Sequence, residues 1–261
     1  MPSEIRNLAN VAKHGVRSLA RGRLGEARAA TAVLGLRVLE AVEELGGASD
    51  VTCGFCGWTG PRFKTFLVGA SCRRGAVCPR CLSLERHREF IVLFRRVRPL
   101  FGVRIRVLDI APTLAFSDLC RASPDIDYVS LDRESELAML RGDVQFLPFR
   151  PGVFDFVLCS HVLDYVKDDR RGMREIHGVL KEGGMAILEQ DYRPDQPTEE
   201  WNGPRPEELD RIRRYGRDYP DRLGEAGFHL RRAGLGTHPV FLAFKVADNP
   251  LIESIETAVT R

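Results

Sequence analysis

Two sets of residues in this chain have the types and spacing to do chemistry. The first is Cys53-Gly-Phe-Cys56 and, after a gap of 21 residues, Cys78-Pro-Arg-Cys81. Two Cys-x-x-Cys hairpins can converge four thiolates on one ion, and zinc suits them because its filled d-shell imposes no geometry beyond the tetrahedron that the ligands favour. Four thiolates leave no open coordination position, so the expected role is structural. The other three of the seven cysteines, Cys72, Cys120 and Cys159, are scattered. An odd count with two close pairs fits metal-bound thiolates in a reducing cytoplasm better than a secreted disulfide framework. Cys72 is the one alternative ligand, and it stands apart from either pair.

The second set is a row of aspartates, each beside a candidate strand: Asp109 after the first, Asp132 after the second and Asp143 before the third. A ligand with an amino-acid tail, a ribose and an amino-substituted base needs an acceptor at each of these places. Asp132 can accept both ribose hydroxyls with its two oxygens. Asp143 is placed for the base amino group, with the Val144 N–H for a ring nitrogen, and Asp109 for the ammonium of the tail. Singly, each reads as a solvated loop carboxylate; together, at successive strand ends, they read as a binding rim.

The elements that must position these groups follow from the hydrophobic pattern. From Arg104 onward apolar runs alternate with helical stretches. Strands are expected at Ile105–Asp109, Tyr128–Asp132, Val144–Leu147, Phe154–Ser160 and Met185–Gln190, and helices at Leu114–Arg121, Asp168–Leu180 and Pro206–Ala226. A final strand pair, His229–Ala233 and Val240–Val246, is too closely connected for a helical crossover and must be antiparallel. The sum is an α/β fold with a mostly parallel sheet covered on both faces. Upstream, residues 51–86 hold too little apolar material for a core of their own and need a staple. Leu84–Phe101 reads as a helix into the main domain, and residues 1–50 as amphipathic helices with Leu34, Val38, Val42 and Leu45 on one face.

Charge divides along the same lines. Residues 1–50 carry 7 basic and 6 acidic groups, residues 51–106 carry 12 and 2, and residues 107–261 carry 20 and 28. The basic middle segment partly offsets the thiolate site, and what remains suits contact with phosphate, RNA included. No stretch approaches the roughly 18 apolar residues of a membrane span, and composition excludes disordered and collagenous classes.

The run Gly142-Asp-Val-Gln-Phe-Leu-Pro-Phe149, with Phe154-Asp-Phe-Val-Leu-Cys-Ser-His-Val-Leu-Asp-Tyr-Val166 and Val179-Leu-Lys-Glu-Gly-Gly184, resembles the class I S-adenosylmethionine-dependent methyltransferases of the methyltransferase-11 type. The resemblance covers about residues 104–246. It implies a Rossmann-like seven-stranded sheet with its last strand antiparallel, spanning residues 87–261 behind a zinc-ribbon-like module at 51–86. It also implies S-adenosylmethionine as cofactor, held by Asp109, Ile110, Ala111, Asp132, Asp143, Val144 and Ser160. The first loop departs from the family's Gly-x-Gly: it reads Asp109-Ile-Ala-Pro-Thr-Leu-Ala115, in which Pro112 has no N–H to offer. The missing glycines argue against a dinucleotide dehydrogenase, whose fingerprint needs them.

For chemistry, the cofactor brings an activated methyl group and the protein supplies position, dryness and, where needed, a base. His161, after the fourth strand, is the first candidate base, the alternative being a packing role; Asp191 and Tyr192 come next. Residues 193–216, rich in Pro, Glu and Arg, read either as a lid over the acceptor pocket or as a surface loop leading into a helix. The expected acceptor is an oxygen of a small molecule or glycan. The alternatives are RNA docked on the basic zinc module, or a non-catalytic binding protein whose altered loop has lost the cofactor.

Overall fold

The structure is a computed structural model that describes residues 51–68, 71–235, 238–249 and 251–260. The expected N-terminal helices lie outside these residues. The chain divides into two compact units, at Arg80/Cys81. No described helix is long and apolar enough to cross a membrane.

The described part of the first unit is built of short antiparallel pairs. Strands β1 (Val51–Thr52) and β2 (Thr59–Gly60) pair around the first Cys-x-x-Cys, and β3 (Lys64–Val68) pairs with β4 (Ser71–Val77), which leads to the second. The side chain of Cys72 lies outside what is described.

The second unit is a seven-stranded sheet: β5 (Ile105–Ile110), β6 (Ile126–Asp132), β7 (Leu140–Arg141), β8 (Phe154–Ser160), β9 (Leu180–Glu189), β13 (His229–Leu235) and β14 (His238–Phe244). Its order is β13-β14-β9-β8-β5-β6-β7. Strands β5 to β9 run parallel and β14 antiparallel to β9, so the last strand is reversed as expected. Because successive side chains of a strand face opposite ways, each strand feeds two cores. Phe156 of β8 turns to Phe94 of α1 (Glu85–Val97), ring centroids 4.8 Å apart, and Phe94 meets Phe116 of α2 (Leu114–Arg121) at 5.0 Å. Leu108, Val157 and Ala186 turn to a cluster containing Met173 and Ile176 of α3 (Asp169–Val179) and Leu223 of α4 (Tyr219–Glu225). A last helix, α5 (Leu251–Thr260), was not anticipated.

Two expectations are corrected. Val144–Leu147 is a turn, not the third strand: Asp143 accepts the Gln145 N–H at 2.9 Å, curling the chain, and the pairing residues are Leu140–Arg141 just before it. Pro206–Ala226 is not one helix. Leu209 and Asp210 take positive φ angles of 60° and 62°, which a helix cannot accommodate, and the chain continues as β12 (Arg211–Gly216) before α4. With β10 (Tyr192–Arg193) and β11 (Glu199–Arg205), β12 makes a small sheet ordered β10-β12-β11.

Candidate active site and metal centre

Four parallel strands end on one rim, and the loops leaving them enclose a hollow of about 230 Å³. Ile110 and Ala111 close β5, Asp132 to Glu134 follow β6, Gly142 to Val144 follow β7, and His161, Val162, Tyr165 and Val166 follow β8. The sheet register makes this convergence obligatory: Ile110 sits opposite both Leu131 and Cys159, and Leu131 opposite Leu140.

The backbone is strained where it turns into the hollow. Ala111 has φ +59° and His161 φ +52°, two of the five non-glycine residues in the left-handed region among the described residues. Each is pinned by a backbone bond, Ala111 N–H to Leu131 O at 2.9 Å and His161 N–H to Glu189 O at 2.9 Å. An alanine there costs about 1–2 kcal/mol that a glycine avoids, and Ala111 thus occupies a conformation that the altered first loop still imposes. Close packing shapes the floor too: a Cβ on Gly142 would stand 2.7 Å from Leu131 Cδ1.

The carboxylates are set differently. One oxygen of Asp132 accepts the N–H groups of Glu134 and Ser135, both at 2.7 Å, which fixes the side chain at the strand end; its other oxygen takes no hydrogen bond among the described residues. Asp143 is held by the Gln145 side-chain amide, 3.0 Å from each oxygen, and that amide's own oxygen accepts the Asp168 N–H at 2.8 Å. Beside it the Val144 N–H has no acceptor among the described residues. Asp132 with a free acceptor oxygen, Asp143, and Val144 with an unused N–H therefore line one space, a donor and acceptor set of the kind a ribose next to an amino-substituted ring requires.

Residues 98–188 match a family model described as a methyltransferase domain. That stretch of the chain is therefore similar to a methyltransferase domain. A demethylmenaquinone methyltransferase of Beutenbergia cavernae is 31% identical over 156 residues, which are 49% of this chain and 65% of that protein. A 2-phytyl-1,4-naphtoquinone methyltransferase of Nostoc punctiforme is 38% identical over 61 residues, 23% of this chain and 26% of that one. The chain thus spans 65% of the first relative's length and about a quarter of the second's. The crystal structure of a SAM dependent methyltransferase from Aquifex aeolicus aligns with a TM-score of 0.43 at 18% identity, over 60% of this chain and 92% of that one.

The rim gathers Ile110, Ala111, Asp132, Asp143, Val144 and His161. Asp109 is not among the lining residues. It is 1% exposed and accepts the Tyr128 hydroxyl at 2.8 Å, while that hydroxyl lies 2.7 Å from Ser117 Oγ. Burial lifts its carboxyl to about 7, against which the Tyr128 hydrogen bond pulls down. The cause of the misplacement is the alternation of the strand: Asp109 shares a face with Val107, not with Ile110. Ser160 also faces elsewhere, donating to Glu189 Oε2 at 2.5 Å.

Of the candidate bases, His161 alone lines the hollow. Its Nδ1 lies 3.9 Å from Asp164 and its Nε2 4.0 Å from Glu189. Asp191 instead pairs with Arg211 at 2.9 Å, and Tyr192 packs edge-on against Phe241, centroids 5.3 Å apart. None of the described residues among 193–216 lines the hollow. Tyr215 at the end of that stretch and Tyr219 just beyond it are fully buried core, and Arg222 joins Asp169, Asp218 and Glu200. The sequence reading missed Tyr165, which closes the wall beside His161 and whose hydroxyl burial and the Asp164 charge raise in pKa. Its place in the run after the fourth strand was the available signal.

The cysteines also converge. The sulfurs of Cys53, Cys56, Cys78 and Cys81 lie within 4.8 Å of one another, Cys56 and Cys78 at 3.6 Å. Zn–S bonds of about 2.3 Å in a tetrahedron set sulfurs about 3.8 Å apart, so the cluster fits such an ion. A turn prepares it: Gly57 takes φ +69°, its N–H bonding to Cys53 O at 2.9 Å while the Cys53 N–H reaches Trp58 O at 2.7 Å.

Proposed function

We propose that the chain is an S-adenosylmethionine-dependent methyltransferase acting on a small molecule, with a structural zinc ion on Cys53, Cys56, Cys78 and Cys81. The observation that carries the reading is the meeting of Asp132, Asp143 and the Val144 N–H in one hollow at the carboxyl rim of the sheet. Asp132 would take the ribose hydroxyls on its unoccupied oxygen, Asp143 the base amino group and Val144 N–H a ring nitrogen. Ile110, Leu131 and Val144 would pack on the base. The small-molecule acceptor is supported by the quinone methyltransferases among the relatives, and an oxygen nucleophile is the finer reading.

When bound, the cofactor supplies a methyl group already activated by its sulfonium. The residues then do three things. The strand-end carboxylates fix the ligand's position, replacing a search in solution by a held geometry. Val162, Tyr165 and Val166 exclude water from the reacting side, which favours a step in which charge disappears. His161, flanked by Asp164 and Glu189, takes the proton from the acceptor hydroxyl and would pass it to solvent, since its ring is 20% exposed.

The test is calorimetric titration with S-adenosylhomocysteine on the intact chain and on Asp132→Ala. Micromolar binding that weakens by about 10- to 100-fold in the variant supports the reading, as expected for hydrogen bonds to a charged group; an intact chain that binds neither the cofactor nor its product refutes it. The basic segment 51–106, with 12 basic against 2 acidic residues, favours RNA as a second acceptor. Radiolabelled methyl transfer into fractionated metabolites or into RNA of the same cell separates the two.

A further inference from the structure

The wall of the hollow formed by residues 161–168 is a loop between β8 and α3, and its carbonyls at Leu163, Val166 and Lys167 take no backbone N–H among the described residues. All three point at one buried side chain. Arg213, 3% exposed, donates from Nη1 to Leu163 O at 2.6 Å and Val166 O at 2.5 Å, and from Nη2 to Lys167 O at 3.0 Å. A buried carbonyl without a donor is costly, and a planar guanidinium is the only side chain that reaches three such groups in a fixed fork. Asp169 Oδ2, 3.7 Å from its Nε, balances the charge.

The neighbours on β12 repeat the gesture with a period of two. Arg211 places Nε 2.8 Å from Asp164 Oδ2, and the Tyr215 hydroxyl, which donates to Asp169 Oδ2 at 2.8 Å, lies 3.2 Å from Leu163 O. Between them, the backbone N–H groups of Ile212 and Arg213 both donate to Asp164 O, at 3.0 and 3.3 Å. Arg214, of opposite parity, turns away to Glu208. One face of β12 is therefore devoted to a loop that starts with His161 and includes Tyr165, although no residue of β12 touches the hollow itself.

We propose that Arg213 is a positioning residue: it fixes the wall bearing His161, Val162, Tyr165 and Val166, and so sets the hollow's fit to its ligand. The binding readout rests on the cofactor reading above; a second readout does not. The first variant, Arg213→Ala, is titrated with S-adenosylhomocysteine with and without low-millimolar guanidinium. The expected result is a loss of about tenfold or more in affinity, restored by guanidinium and not by the same concentration of sodium chloride. The second, Arg213→Lys, keeps the charge and loses the fork. In the ligand-free protein its amides at residues 161–168 should exchange with solvent about tenfold faster or more, while those of β5 and β6 keep their protection. Folded variants with unchanged affinity and unchanged wall exchange overturn the proposal. Uniformly faster exchange over the whole sheet, or failure of both variants to fold, overturns it equally, because Arg213 would then be a general folding residue. If the intact chain binds no S-adenosylhomocysteine, the cofactor reading falls and the exchange experiment alone decides.

Discussion

Replacing Asp109 by asparagine should make the protein more stable at pH 8 and leave it nearly unchanged near pH 4. The folded chain buries this carboxyl under the first loop, with a pKa of about 7 against an ordinary value of 3.8. Below pH 4 both folded and unfolded chains hold the proton, and the group contributes no pH dependence. Between 4 and 7 the unfolded chain releases it and the folded chain keeps it, so stability falls as pH rises; above 7 the loss levels off. The displacement of about three units corresponds to about 4 kcal/mol over the whole window at 1.36 kcal/mol per unit, and about 3 kcal/mol of it falls between pH 5 and 8. Asparagine keeps an acceptor for the Tyr128 hydroxyl and titrates nowhere in this range. Urea unfolding of both proteins at pH 5 and pH 8 measures the difference: the variant's advantage should grow by about 3 kcal/mol from the lower pH to the higher. Parallel stability profiles would refute the reasoning, since they would mean that Asp109 ionises freely in the folded state. A variant that also lost its affinity for S-adenosylhomocysteine would restore Asp109 to the ligand.

Three further outcomes are expected. Elemental analysis of the purified chain should find one zinc ion, and Cys78→Ser should lose it and render the segment 51–80 sensitive to protease, since a unit this small depends on its metal; metal-free protein with full protease resistance would contradict this. Ala111→Gly should change stability by no more than about 0.5 kcal/mol, relief of left-handed strain being offset by a more flexible unfolded chain, whereas Ala111→Val should lose about 2 kcal/mol or more in the same denaturant titration. Phe94→Ala, which empties the contact between α1, α2 and β8, should lose about 3–5 kcal/mol, visible as a lowered urea midpoint.

How much of this was legible in the sequence depended on how local each determinant is. Phe154–Ser160 and Leu114–Arg121 could be read to the residue, because a strand buried on both faces and a helix capped by Thr113 announce themselves within ten positions. The cysteine pairs were readable for the same reason. Val144–Leu147 was misread because its apolar residues fill a turn that Asp143 and Gln145 create between themselves. The stretch 206–226 was misread because its helical composition is overruled at Leu209 and Asp210. At the site, Asp132 and Asp143 stand on the rim, but which way Asp109 and Ser160 face depends on the sheet's pleat and on partners 19 and 29 residues away. Arg213 was beyond reach altogether: its partners lie 46 to 50 residues upstream and are backbone carbonyls, which carry no residue type.

The left-handed twist at His161 makes an unusually clean mutagenesis target. Asparagine enters that region of backbone space readily, so His161→Asn keeps the peptide path and removes only the imidazole. A fall in turnover with intact cofactor affinity in that variant would report on proton transfer alone, undisturbed by any collapse of the loop around it.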